Sequence, residues 1–349
     1  MKKETLADKI AKQTFASNDF QKSWSVHLQA FGPILEPAFV NNYQARIHLT
    51  AALNKISRRD VKGGLLKLSS LKKFCEADAD YAAYLFFLGL CFEFSGDKDN
   101  MISCYLKSGE YGHKFYLPYL KVAKGAHADA VFEVAEQNYK AAISCYDGTE
   151  TDAQSKTILA SAYTNLASCL TMMHRYSEAE EALAASEEVL PQQQGRDATK
   201  AILCAAMGKA DEANGLLSEM EAQLPMFAHP TKKMVSEIMG GTHPHFHAVE
   251  INNTCIVDFW RWFEANAADF NSQLQSDAYD KFFSTIQAHL KSVFPFMERP
   301  CELGIQPTDY GYEITFADFY MVSLQNGYEQ LIAACPDSLR QQWNFVIAH

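Results

Sequence analysis

The sequence predicts a mainly α protein: an α-solenoid of helix-turn-helix repeats, followed by a small α+β domain with a mostly antiparallel sheet. Three observations carry this reading. Ala179, Leu183 and Pro191 recur 34 residues later as Ala213, Leu217 and Pro225. Small and large apolar residues alternate at helical spacing upstream of that pair. At Cys255 the pattern gives way to an aromatic helix and then to strand-like runs. Two antiparallel helices come close only where small side chains face each other and large ones fill the gaps. Proline cannot continue a helix and so sets the breaks.

Taken in order, residues 1–39 read as an N-terminal helical cap of one or two helices, because an open repeat array exposes core at its end. Residues 40–225 divide into about five units. The first has "ARIHLTAALNKI" as its leading helix, with Gly64, Leu68 and Leu71 on the second. The next carries Leu85, Leu88, Gly89, Phe92, Met101, Tyr105 and Ser108. A weaker unit carries Ala142 and Tyr146. The fourth carries Tyr163, Leu166, Ala167, Leu170, Ala179, Leu183, Ser186 and Pro191, and the fifth ends at Pro225. The spacing drifts upward from 34, so insertions are expected in the loops.

These units resemble the tetratricopeptide repeat family across residues 40–225. Most of them lack the aromatic of the first position, and three lack the glycine. The resemblance implies a right-handed superhelix whose concave groove is lined by the second, fifth, ninth and twelfth positions of each first helix. Those positions hold Arg46, Leu49, Leu53 and Ile56, then Ala83, Phe86, Leu90 and Glu93, then Lys124, His127, Val131 and Val134. Ser161, Thr164, Ser168 and Thr171 follow, with Asn165 beside them. The expected partner-binding set is Arg46, Leu49, Leu53, Phe86, Leu90, Lys124, His127 and Asn165, and the expected partner is a protein or peptide. The Phe86–Leu90 wall either accepts an apolar stripe from a partner or is filled, by the protein's own N-terminal segment or by a tight superhelix. A basic set for a peptide's terminal carboxylate is not assembled, since Gly195 and Thr199 stand where basic groups are wanted.

Residues 226–254 read as a linker containing a short helix. His243, His245 and His247 alternate, so an extended chain would put them on one face, but no cysteine or carboxylate completes a metal-ligand spacing. No metal and no cofactor is expected.

Residues 255–349 read as the α+β domain. Ile256, Phe259, Trp260 and Phe263 form one apolar helix face, with Asp258 as a candidate N-cap and Trp262 off the stripe as a candidate docking residue. A second helix, two strands, a short helix and a closing strand follow. The run is similar to an uncharacterised bacterial domain that opens on a Phe-Trp-x-Trp-Phe helix, to which no activity is attached. In those relatives the chain continues further, so the domain is expected to be incomplete here or closed by a partner.

The formal net charge is -11, and the segment from Glu250 onward holds 5 Lys/Arg against 13 Asp/Glu. Such a surface repels phosphate backbones and anionic lipid, so neither nucleic acid nor membrane is an expected partner. The nine cysteines are scattered, with no C-x-x-C pair, which suits buried thiols in a reducing cytoplasm. No phosphate-binding, nucleophile-elbow, zincin or dinucleotide motif is present. The carboxylates Glu264, Asp269, Glu302, Glu313 and Asp318 form no recognisable pair, and Cys301 with His289 lacks a third group. The leading expectation is a protein-interaction or scaffold protein. The alternatives are an enzyme with its site in the acidic C-terminal domain, and a self-assembling structural protein. The sequence leaves the oligomeric state open.

Overall fold

The structure is a computed structural model that describes residues 5–40, 42–112, 115–146, 153–193, 195–223, 225–276, 278–297, 301–317 and 321–348. Helices make up 74% of it and one three-stranded sheet lies near the C-terminus. Backbone contacts divide the chain into two compact units, Met1–Leu166 and Ala167–His349.

In the first unit, α1 (Leu6–Phe15) and α2 (Asn18–Leu35) precede three helical hairpins: α3 (Tyr43–Ile56) with α4 (Val61–Leu71), α5 (Asp78–Ser95) with α6 (Lys98–Tyr111), and α7 (Tyr116–Ala128) with α8 (Phe132–Ser144). Each hairpin packs on the next, α4 against α5 and α6 against α7. The small residues are where the helices approach. A Cβ on Gly64 of α4 would lie 2.8 Å from Ile56 Cγ1 of α3, and one on Gly89 of α5 would lie 2.9 Å from the Tyr105 ring of α6. Buried Ser108 donates to the Ala82 carbonyl at 2.8 Å. Each large side chain buried between the hairpins contributes about 1.5–3 kcal/mol.

The helix α9 (Ala153–Met172) contains the division between the units. In the second unit, α10 (Tyr176–Val189) is followed by the hairpin of α11 (Arg196–Ala206) and α12 (Ala210–Gln223). The short helix expected in residues 226–254 is present. Pro225–Met239 forms α13, which packs Val235 and Ile238 against Ala201, Cys204, Ala213 and Leu217.

One turn recurs through the array. Between the helices of every hairpin a residue adopts the left-handed conformation: Arg59, Gly96, Ala130, His174 and Gly208, with φ of 59°, 77°, 57°, 59° and 75°. The next residue donates its N–H to the carbonyl five residues back each time: Asp60 to Lys55, Asp97 to Phe92, Val131 to Ala126, Arg175 to Leu170 and Lys209 to Cys204. This pattern satisfies orphan carbonyls at a helix C-terminus and reverses the chain. Gly241, with φ 70°, and the Thr242-to-Glu237 bond repeat it after α13. The helix α13 therefore ends in the same turn as α3, α5, α7, α9 and α11.

The C-terminal domain has α14 (Asn253–Gln275), α15 (Tyr279–Val293), β1 (Leu303–Thr308), β2 (Gly311–Phe316), α16 (Val322–Ala333), α17 (Asp337–Arg340) and β3 (Trp343–Ile347). Asn252, whose side chain accepts from the Thr254 N–H, caps α14, so the helix starts before the expected cap Asp258. Asp258 instead pairs with Arg261 at 2.7 Å. The mostly antiparallel sheet is corrected to a mixed one. The central strand β2 pairs antiparallel with β1 and parallel with β3. A parallel partner needs a crossover, and α16 and α17 supply it. The core is aromatic, built from Trp260, Phe263, Phe270, Phe282, Phe294, Tyr328 and Trp343, and the buried Trp260 indole donates to the Leu331 carbonyl at 2.7 Å.

Candidate functional site

The expected groove splits into a filled part and an open part. On α3 and α5, Leu49, Leu53, Phe86 and Leu90 are only 0%, 2%, 1% and 6% exposed. They share one core with Trp24, Ile34, Leu35 and Phe39 of the N-terminal segment, and the Phe31 ring stands edge-on to Phe87 at 5.3 Å. These four residues are thus core, and a partner has no access to them. Arg46 is also taken: its Nε donates to the Phe39 carbonyl at 3.0 Å and its guanidinium lies 5.6 Å from the ring centres of both Phe15 and Trp24.

The stripe on α5 ends at Glu93. Its carboxylate accepts from the Tyr105 hydroxyl at 2.5 Å and pairs with Lys121 of α7 at 3.0 Å. Burial first, and then the bond to Glu93, push the Tyr105 hydroxyl far above its ordinary value.

Beyond Lys121 the face opens. Leu117, Leu120, Lys121 and Lys124 of α7 and Thr157, Ile158, Ser161, Ala162 and Asn165 of α9 line a cavity of about 340 Å³. That is at the small end of the range for ligand pockets. The α7 residues recur three and four apart, as do those of α9, so each helix offers one stripe. Leu117, Leu120, Ile158 and Ala162 make the apolar part. Lys124 is exposed and Asn165 half-buried, and neither side chain has a hydrogen-bond or ion-pair partner among the described residues. The expected residues Lys124 and Asn165 are thus brought together, although they are far apart in sequence.

The third unit's register is corrected. Its first helix begins at Tyr116, so Val131 lies in the turn and Val134 on the second helix. Leu117 and Leu120, which the sequence reading missed, hold the groove positions instead. Pro118 in the first turn of α7 was the available signal, because proline is favoured at helix starts. His127 turns toward its own hairpin, edge-on to Phe132 and Tyr139 at 6.0 and 6.2 Å, and burial lowers its pKa below the usual 6.5.

Trp262 does not protrude. It is half-buried and stacks on His289 of α15, with ring centres 3.5 Å apart and planes within 9°. The carboxylates of this domain are scattered among separate bonds. Glu264 accepts from Ser338, Asp269 from Gln273, and Glu313 from Gln306 and Asn344. Asp318 lies outside the described residues. Cys301 is buried with its sulfur 3.4 Å from Met297 Sδ, and His289 Nδ1 meets the Thr285 carbonyl.

His243, His245 and His247 do not share an extended face. They form a turn in which the Phe246 and His247 N–H groups both bond the His243 carbonyl at 3.0 Å. His247 Nε2 meets the Ile238 carbonyl at 2.6 Å. The Ser323 N–H and hydroxyl both donate to the Pro244 carbonyl, which fastens the turn to α16. Among the described residues no group of three or more His, Cys, Asp or Glu could hold a metal ion. Burial pushes the Cys75 thiol up to about 12 and the Cys91 and Cys335 thiols to about 11. Among the described residues no helix is long and apolar enough to cross a membrane.

No family model matches this chain, and neither does any curated protein or solved structure.

Proposed function

We propose that this chain is a tetratricopeptide-like interaction protein that receives a short segment of a partner protein between α7 and α9. The supporting observation is the pairing of an apolar cleft with Lys124 and Asn165, two polar side chains that no other described residue engages. A buried or half-buried amide with no partner is costly unless a ligand or water satisfies it. The Asn165 amide offers two donors and an acceptor, the complement of an extended backbone. Lys124 adds a positive charge on an otherwise acidic molecule, which favours an acidic group in the partner. The cleft suits one or two branched aliphatic or aromatic side chains next to that acid.

The experiment is site-specific crosslinking in the native host. A photoreactive residue at exposed Thr157, on the cavity rim, should capture one defined protein, and Lys124→Glu in the same chain should abolish the adduct. A photoreactive residue at exposed Val257 of α14 serves as control. Equal capture from both positions, or capture indifferent to Lys124→Glu, would refute the reading.

A further inference from the structure

The N-terminal segment is built in two parts that meet at a break. Inside α2, Phe31 leaves helical geometry with φ -137° and ψ 27°, and Pro33 follows two residues on. Proline removes a backbone hydrogen bond and bends a helix at that place. Beyond the break the chain is anchored. Ile34, Leu35 and Ala38 are fully buried, and the Phe39 N–H donates to Asp80 Oδ1 at 2.6 Å. The other Asp80 oxygen accepts from the Glu76 and Ala77 N–H groups at 3.1 Å, so this carboxylate clamps the anchor to the start of α5.

Before the break the contacts are of another kind. Between residues 9 and 30 only Ala11, Trp24 and His27 are buried. They and their neighbours lie on α3 with few groups. Phe15 meets Tyr43 at 5.0 Å, Phe15 and Trp24 flank Arg46, and Asn54 takes hydrogen bonds from Ser23 and His27 at 3.2 and 3.0 Å. Phe20, Trp24, Leu28 and Phe31 recur at helical spacing on the side that packs against the core. This is how an amphipathic helix lies in a groove.

We propose that residues 5–30 are an intramolecular ligand. They form a displaceable arm, hinged at Phe31, on a docking surface made by Tyr43, Arg46 and Asn54 of α3. The partner that fits this surface is an amphipathic helix with an aromatic face. Its rings would take the places of Phe15 and Trp24 beside the Arg46 guanidinium, where a cation–π contact holds them, and a hydroxyl or imidazole would reach Asn54. The arm supplies the template for that chemistry and competes with the partner for it. The proposal is independent of the cavity between α7 and α9, and variants at Lys124 or Asn165 leave it untouched.

Two measurements on the full chain test it. Hydrogen exchange under native conditions should show the amides of 18–30 exchanging at least ten-fold faster than those of 86–91. A detached segment of this length is a marginal helix. Exchange of both only through global unfolding would overturn the hinge. Next, the chain carrying Phe15→Ala and Trp24→Ala should bind a synthetic peptide of residues 5–30 that the unaltered chain does not bind. Adding Arg46→Glu should weaken that binding at least ten-fold. A doubly substituted chain that keeps a cooperative melt yet fails to bind the peptide would overturn the docking surface. If that chain does not fold, the exchange result on the unaltered chain decides alone.

Discussion

The face made by α3, α5, α7 and α9 behaves differently at its two ends. On α3 and α5 it is apolar, and the chain covers it with its own N-terminal segment, leaving Leu49 and Phe86 as core. On α7 and α9 the same stripe carries Lys124, Ser161 and Asn165 above a smaller apolar cleft, and the cavity is open. The chemistry explains the contrast. A large apolar patch is too costly to leave in water, whereas a cleft rimmed by a lysine and an amide stays hydrated without that cost. Burial therefore identifies the part of this face that has become structural, and polar groups with no partner among the described residues mark the part proposed above to receive a partner.

The largest expected effect lies at the filled end. Asp80→Ala removes a buried acceptor of three backbone N–H bonds and should cost about 3 kcal/mol, read as a lower urea midpoint. A loss under about 1 kcal/mol would mean that the N-terminal anchor is not held as described.

Two glycines sharpen the contrast next. Gly89→Ala on α5 drives a methyl into the Tyr105 ring and should destabilise by about 1–2 kcal/mol. Gly125→Ala on α7 meets nothing within 4 Å and should stabilise by up to about 1 kcal/mol through helix propensity. Paired thermal melts should therefore move in opposite directions.

His127 comes third. Burial favours its neutral form, so the unfolded chain binds the proton first as pH falls. The contribution of His127 is fully present above pH 6.5 and is lost progressively as pH drops below 6.5 toward the lowered folded-state value. Melting temperatures at pH 7.5, 6.5 and 5.5 should fall in that order below 6.5, and His127→Gln should flatten the slope. An unchanged slope would place the titration elsewhere.

The smallest effect is expected at the junction of the two ends. Lys121 and Glu93 are each about one third exposed, so Lys121→Met should change stability by roughly 0.5 kcal/mol or less.

What the sequence made readable follows the same physics. The hairpins were legible because close helix approach demands small residues at Gly64, Gly89, Ser108 and Ala179. Three of the five hairpin turns were hidden, because Arg59, Ala130 and His174 adopt the left-handed conformation without being glycine. The turn thus gave no glycine to place the third unit, and with Pro118 overlooked as a mark of the start of α7 the unit slipped out of register. The short helix expected after Pro225 is α13, and Gly241, which repeats Gly208 33 residues on, marks its end. Lys124 and Asn165 were both singled out by the sequence, but their meeting at one cavity was not legible, because only the placement of α7 beside α9 makes them neighbours. The parallel pairing of β3 with β2 had no local signal, since a crossover is a property of the whole domain.

The most direct test of the open end uses a randomised peptide library selected on the immobilised full chain, with the winners titrated by calorimetry. The account predicts that they share an apolar residue beside Asp or Glu. It predicts that Lys124→Glu and Asn165→Ala each weaken binding at least ten-fold, about 1.4 kcal/mol, while Trp262→Ala has no effect. Winners that bind undiminished to both cavity variants would contradict it.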